Sequence, residues 1–142
     1  MAWKGTRPSA FGKKIPAEVG KRTRAAAMQA LSGVIERSPV GNPDLWQRPA
    51  PEGYVGGAFR GNNVVSVSAP DYSADESAID PDGQRALAMG SAVIAATRGA
   101  PFTVIYVQNN LPYAERLESG YSGQAPAGVY AITFSNLREA SR

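Results

Sequence analysis

The chain has 142 residues, 43% of them apolar and 19% charged, a balance that suits one packed domain and excludes a disordered chain. It contains no cysteine and no histidine, so disulfide frameworks, thiolate zinc sites, cysteine nucleophiles and histidine-based triads are all excluded. The net charge of +3 is unevenly placed: Lys4, Arg7, Lys13, Lys14, Lys21, Arg22 and Arg24 against Glu18 give the first 24 residues +6, leaving −3 on the other 118.

Residues 1–15, with Gly5, Pro8 and Gly12, read as an irregular basic arm ahead of a single domain over residues 16–142. Such an arm is a candidate contact for nucleic-acid phosphates or an acidic protein surface, the alternative being a solvated tail. From Pro16 to Arg37 the pattern is helical. Met28, Leu31 and Ile35 line one side with Ala27, Ala30 and Val34 beside them, Pro16 suits a first helical turn, and Ser38-Pro39 ends the run.

The next stretch, SPVGNPDLWQRPAPEGYVGGAFRGN (residues 38–62), is rich in proline and glycine yet carries Trp46, Tyr54 and Phe59. Large apolar side chains in a loop that cannot fold by itself point to packing against another copy or a partner. Residues 58–69 favour extended structure, with Val65 and Val67 alternating with Ser66 and Ser68. The acidic stretch 71–84 leads into a second helix, with Asp80 as N-cap, Pro81 as first helical residue and Asp82 near the positive end of the dipole. That helix is expected to run to Arg98, rich in small residues that permit close backbone approach, and to stop at Gly99 and Pro101. PFTVIYVQN (residues 101–109) is nearly continuous in β-branched and apolar character, as in a central strand, and Asn109-Asn110 breaks it. Residues 111–120 give a short helix with Tyr113 and Leu117 on one face, closed by Gly120 and Gly123. In the tail, VYAITF suits a strand and SNLREASR a helix.

Few constellations carry chemistry. Asp71, Asp75, Glu76, Asp80 and Asp82 are oxygen-rich, but the ligand series of a calcium loop is missing, which favours a solvated loop with a helix cap. Glu115 and Glu118 are spaced as helix neighbours and suit either an acid–base pair or, more simply, a salt bridge or cap. Gly56-Gly57 precedes a strand instead of following one, so it is no phosphate loop. No apolar run approaches the roughly 18 residues of a membrane span, and no apolar stretch follows the basic N-terminus as in a secretory signal. Aromatic anchors in polar loops, Trp46, Tyr54, Tyr113 and Tyr121, suit a protein interface or a fold-back onto their own domain.

Two segments together, SPVGNPDLW…GYVGGAFRGN and YAERLESGYSGQAPAGV, resemble the small tail-completion and neck proteins of long-tailed bacteriophages. The first carries Pro39-Val40-Gly41-Asn42 with Leu45 and Trp46. The second carries Tyr113-Ala114-Glu115, Leu117-Glu118, Gly120, Ser122, Gln124-Ala125-Pro126 and Gly128. The resemblance covers residues 16–140 and leaves the basic arm outside. Gly-Asn-Pro stands where the family turn is Asp-Thr-Gly, the loop is longer than in the simplest members, and Val129 stands for methionine.

The resemblance implies a structural protein of the virion, without enzymatic activity or cofactor. Its fold would be α+β: a small antiparallel or mixed sheet of residues 58–69 and 101–108 covered by two long helices, with residues 127–139 helical despite VYAITF. It implies a homo-oligomeric ring, commonly six-fold, at the head–tail junction, joined to neck, adaptor, terminator or tail-tube proteins, with DNA passing through without sequence specificity. Candidate contacts are Trp46, Tyr54, Phe59, Arg60, Tyr113, Leu117, Glu118, Tyr121, Gln124 and Pro126, with Lys4, Arg7, Lys13, Lys14 and Lys21 on the arm meeting protein in preference to DNA. The competing readings are a DNA-binding accessory protein that uses the arm and a small carboxylate hydrolase. Neither an aromatic–basic interleaving nor a helix-turn-helix pattern supports the first, and no cleft motif supports the second.

Overall fold

The computed structural model describes residues 4–97 and 102–142. Its longest element, helix α1 (Pro8–Arg37), spans 30 residues, about 45 Å at 1.5 Å per residue. The expected irregular arm is therefore helical from Pro8, and Pro16 lies inside the helix instead of starting it. Pro8 already supplies the fixed φ of a first helical residue. Pro16 removes one hydrogen bond to the preceding turn but does not end the helix. Lys14 Nζ donates to Thr6 Oγ1 at 3.0 Å, and Arg22 pairs with Glu18 at 3.2 Å one turn away. The other end is as expected: Ser38 turns its Oγ back onto the Val34 carbonyl at 2.6 Å, and its extended backbone leads into Pro39.

The proline-rich loop holds one 3-10 turn, Pro43–Leu45, started by Asn42, whose side chain accepts from Asp44 N. Residues 58–61, expected to be extended, form the short helix α2 (Ala58–Gly61). Asn62 caps it by donating to the Ala58 carbonyl at 2.7 Å, which bends the chain before strand β1 (Val64–Val67) begins. Helix α3 (Gln84–Ala95) starts later than expected, after a turn at Pro81-Asp82. Asp80 still satisfies one orphan N–H of that helix, accepting from Ala86 N at 2.8 Å, while Asp82 accepts from Gln84 N. The helix ends at Ala95, three residues before the expected end at Arg98, and the expected stop at Gly99 and Pro101 lies outside the described residues.

Strand β2 (Ile105–Gln108) pairs antiparallel with β1 in the register Val64↔Gln108, Val65↔Val107, Ser66↔Tyr106 and Val67↔Ile105. The pairing of the two predicted segments is as expected, but among the described residues the sheet has two strands, so β2 has one strand neighbour and is not a central strand there. Its apolar run is used by the helices instead: α3 packs on β1, and α1 contacts both β2 and α3. Helix α4 (Ala114–Glu118) and helix α5 (Tyr130–Ala140) complete the fold, the latter settling the tail as helical. The architecture is α+β, with five α-helices around a two-stranded sheet among the described residues.

Two apolar clusters share α1. Ala27, Leu31 and Ile35 meet Val65, Ala86 and Ile94, and on the other side Val34 meets Phe59, Leu111, Ala125 and Val129. Val107 touches both clusters and joins them. The small-residue character of α3 matters at Gly90, where a Cβ would come within 2.8 Å of Val65 Cγ2 and 2.5 Å of Leu31 Cδ2. Among the described residues no helix is long and apolar enough to cross a membrane.

Candidate functional site

The proline-rich loop, the acidic loop and the α4 region enclose a groove of about 960 Å³. One wall is Pro39–Asn42 with Leu45, Trp46, Tyr54 and Val55, and the opposite wall is Tyr113, Leu117 and Tyr121–Gln124. Glu76, Ser77 and Ile79 close one side, and Phe59 forms the floor.

Each wall has a local cause. Trp46 and Tyr54 pack ring to ring, centroids 4.8 Å apart at 60°, a tilted geometry that favours aromatic pairs. The Tyr54 hydroxyl end sits against Gly41, where any Cβ would collide with it. The two walls are strapped together by Gln124, whose Nε2 donates to the Val40 carbonyl at 2.8 Å while its Oε1 accepts from Val40 N at 3.2 Å. One side chain thus copies the pairing of a strand neighbour across 84 positions of sequence.

Glu118 fixes the second wall. Its Oε2 accepts from Val129 N and Tyr130 N, both at 2.9 Å, and its Oε1 from Ala131 N at 2.7 Å. These are orphan donors at the start of α5, so a distant carboxylate caps that helix and meets the positive end of its dipole. Burial works to raise the Glu118 carboxyl, but the three N–H donors outweigh it and hold it below the usual carboxylate range. Gly128, at φ +79, leaves the space the carboxylate needs, since a Cβ there would lie 2.8 Å from Glu118 Oε1. Beside it, Tyr130 donates to Asn63 Oδ1 at 2.6 Å. Burial, then the nearby Glu118 charge, pushes that phenol far above its ordinary value.

The predicted contact residues divide into three groups. Trp46, Tyr54, Tyr113, Leu117, Tyr121 and Gln124 all line the groove, with Trp46 42% and Tyr121 75% exposed. Arg116 stacks over the Tyr121 ring at 5.0 Å. Pro126 is exposed outside the groove. Phe59, Arg60 and Glu118 have jobs within the domain, although Phe59 also reaches the groove. Phe59 is 4% exposed and belongs to the second core cluster, because α2 turns it inward. Arg60 spends its guanidinium on the Pro81 and Ser38 carbonyls, both at 2.7 Å, joining the C-terminus of α1 to the turn before α3. Glu118 is the cap just described, which is also the plainer of the two readings weighed for the Glu115–Glu118 pair.

The arm residues Lys4, Arg7, Lys13, Lys14 and Lys21 are all exposed, the last three on α1. In the acidic loop, Asp71 accepts from Ser73 N and Asp75 from Ser77 N and its hydroxyl. The side chains of Ser73 and Ser77, and then their backbone N–H groups, hold the Asp71 and Asp75 carboxyls below their usual range. Among the described residues no group of three or more acidic side chains is placed to hold a metal ion.

A set of asparagines escaped sequence reasoning. Buried Asn63 donates to Ser38 Oγ at 2.8 Å and accepts from Tyr130, tying the end of α1 to the start of α5. Asn62 exchanges two hydrogen bonds with the backbone of Asp75, and Asn110 donates to the Asp71 and Ser73 carbonyls. Asn109 donates to the Phe59 carbonyl at 2.7 Å, holding the groove floor. The available signal is the two Asn-Asn pairs, one of which reads in sequence as a strand breaker. Exposed Leu45, which the first resemblance segment carries beside Trp46, also joins the groove, as do Val55 and Ile79, which no motif marks.

Comparison with models of protein families finds no match, and comparisons with curated proteins and with solved structures find none either.

Proposed function

We propose that this chain is a structural protein of the virion of a long-tailed bacteriophage, of the neck or tail-completion kind. It forms a ring that joins the tail tube to the portal-side connector and lets DNA pass. The reading rests on the groove. The two segments that carry the resemblance lie far apart in sequence, and they meet at the Gln124–Val40 strap to make one aromatic surface. A ring built head to tail needs a concave surface on each copy that fits a different surface of the next. Exposed Trp46, Tyr54, Tyr113 and Tyr121 are the residue types that carry binding energy in such contacts.

Light scattering on the purified chain, with electron microscopy of the same sample, tests this. A ring-sized species, alone or beside isolated tail tubes, is the expected result. A monomer under both conditions refutes it. The exposed lysines of α1 favour one other reading, a DNA-binding accessory protein. That reading requires an affinity for DNA that falls steeply with salt and is lost when Lys13, Lys14 and Lys21 are replaced by Glu.

A further inference from the structure

We infer that the first half of α1 is the segment that fills the groove, donated by a neighbouring copy. The inference rests on the ring reading and names the contact that would close the ring.

The first twelve residues of α1 bury nothing. Its buried residues begin at Gly20 and continue with Ala27, Ala30 and Leu31. Phe11 is 41% and Ile15 51% exposed, and a Cβ at Gly12 would meet no atom within 4 Å. A helix piece of this length is marginal in water, and this one contains Gly12 and Pro16, the two weakest helix formers. It is also not polar all round. Phe11, Ile15 and Val19 are spaced i, i+4, i+8 and form one ridge. That ridge is the N-terminal part of the same i+4 row that ends in Ala27, Leu31 and Ile35, so α1 carries its apolar row two turns beyond the part the domain covers.

The occupant cannot come from the same chain. The groove opens beside Pro39 and Val40, immediately beyond the C-terminus of α1. Ile15 lies 22 residues from Arg37 along one helix, about 33 Å at 1.5 Å per residue. A continuous helix holds its own ridge away from its own groove and presents it to the next molecule. That is a heterologous contact, the kind that generates rings.

The charges agree. Lys14 and Lys21, seven apart, share a row beside the ridge, with Arg7 just before the helix in the same register. Glu76 is the one charged residue lining the groove, and Asp44, Glu52 and Asp75 adjoin lining residues on its rim. Arg60 and Arg116 also adjoin lining residues and Arg48 lies two residues from Trp46, but Arg60 donates to the Pro81 and Ser38 carbonyls and Arg116 is stacked on Tyr121. An amphipathic helix laid in an apolar groove with cations toward an acidic rim is a familiar recognition mode.

The test places a photoreactive amino acid at position 15 of the full chain, mixed with an equal amount of unsubstituted chain labelled with heavy nitrogen. Light scattering is read before illumination, and cross-linked peptides are read by mass spectrometry. The expected result is an oligomer whose light arm peptide is joined to a heavy peptide from residues 42–59 or 113–124. Lys14→Glu with Lys21→Glu should raise the protein concentration needed for assembly at least tenfold, with the circular dichroism of the helices kept. Glu76→Lys should do the same. An oligomer whose arm is captured elsewhere, or only within its own chain, overturns the inference and leaves the ring reading standing. A monomer at every concentration, alone and beside isolated tail tubes, overturns both, as does an arm captured by DNA in a chain that never assembles.

Discussion

Replacing Glu118 with Gln removes the charge that caps α5 while keeping the side-chain length. In the native chain both carboxylate oxygens are used, on three backbone N–H groups at 2.7 to 2.9 Å. Glutamine offers one oxygen and turns a donor toward the remaining N–H groups. Loss of an ordinary N-cap costs about 0.5–2 kcal/mol. Hydrogen bonds to a charged acceptor are worth about 1.5–3 kcal/mol each, but this side chain is partly in water, which replaces part of what is lost. An expected loss of about 2 kcal/mol at neutral pH follows, a fall in Tm of about 8 °C for a chain of this size. The pH dependence carries the sign. The folded carboxyl sits below its ordinary value, so its contribution is present above the ordinary carboxylate range and disappears as pH falls through the depressed folded value. Thermal unfolding followed by circular dichroism at equal protein concentration should show a clear gap between wild type and variant at pH 7, closing under acid. Equal Tm values at pH 7, or a gap that stays constant into acid, would refute the assignment of Glu118 as the cap.

Trp46→Ala should leave the helical spectrum and Tm nearly unchanged, since the ring is 42% exposed and touches mainly Tyr54, yet weaken assembly by roughly thirtyfold or more, as loss of about 2 kcal/mol at a hot spot does. Phe59→Ala should do the reverse, costing about 3–5 kcal/mol of folding stability by opening a cavity between Val34 and Leu111; denaturant unfolding measures it. Gly90→Ala forces a methyl against Leu31 and Val65 and should cost about 1–3 kcal/mol in the same assay, although alanine is the better helix former.

What the sequence made legible was the periodic part. The 3.6-residue recurrence from Ala27 to Ile35 is the stripe that α1 buries, and the two β-branched segments pair as expected. Signals that compete locally were harder to order. Gly5, Pro8 and Gly12 read together as an irregular arm, and taking Pro16 as the helix start hid two turns of helix. Ala58–Gly61 follows two glycines and looks extended by composition, yet Asn62 and the Gly57 carbonyl close it into a helical turn, and that turn carries Phe59 inward. Side-chain to backbone bonds between distant segments leave no periodicity at all. The asparagine network and the Gln124 strap were therefore invisible as a site, although their residues could be read one by one.

YAERLESGYSGQAPAGV, the more specific half of the resemblance, can now be divided by the job of each residue. Glu118 caps α5, Gly128 makes room for that carboxylate, and Gly120, at φ +83, lies where any Cβ would meet the Pro126 carbonyl. Gln124 straps the segment to Val40, and Ala125 and Val129 fill the second core cluster. Fold geometry therefore dictates six of these residue types directly. Tyr113 and Tyr121 are under no such constraint: neither donates from its hydroxyl to a described partner in the interior, and both face the groove. A segment of this kind works as a rigid wall that presents two aromatic rings. Changes at Glu118, Gly128 or Gln124 should then lower stability and assembly together, because they move the wall. Tyr121→Ala should lower assembly alone, because it leaves the wall in place and removes only what is presented. If Tyr121→Ala instead lowered Tm as much as Gln124→Ala, the tyrosine would belong to the scaffold, and the groove would lose its most exposed anchor.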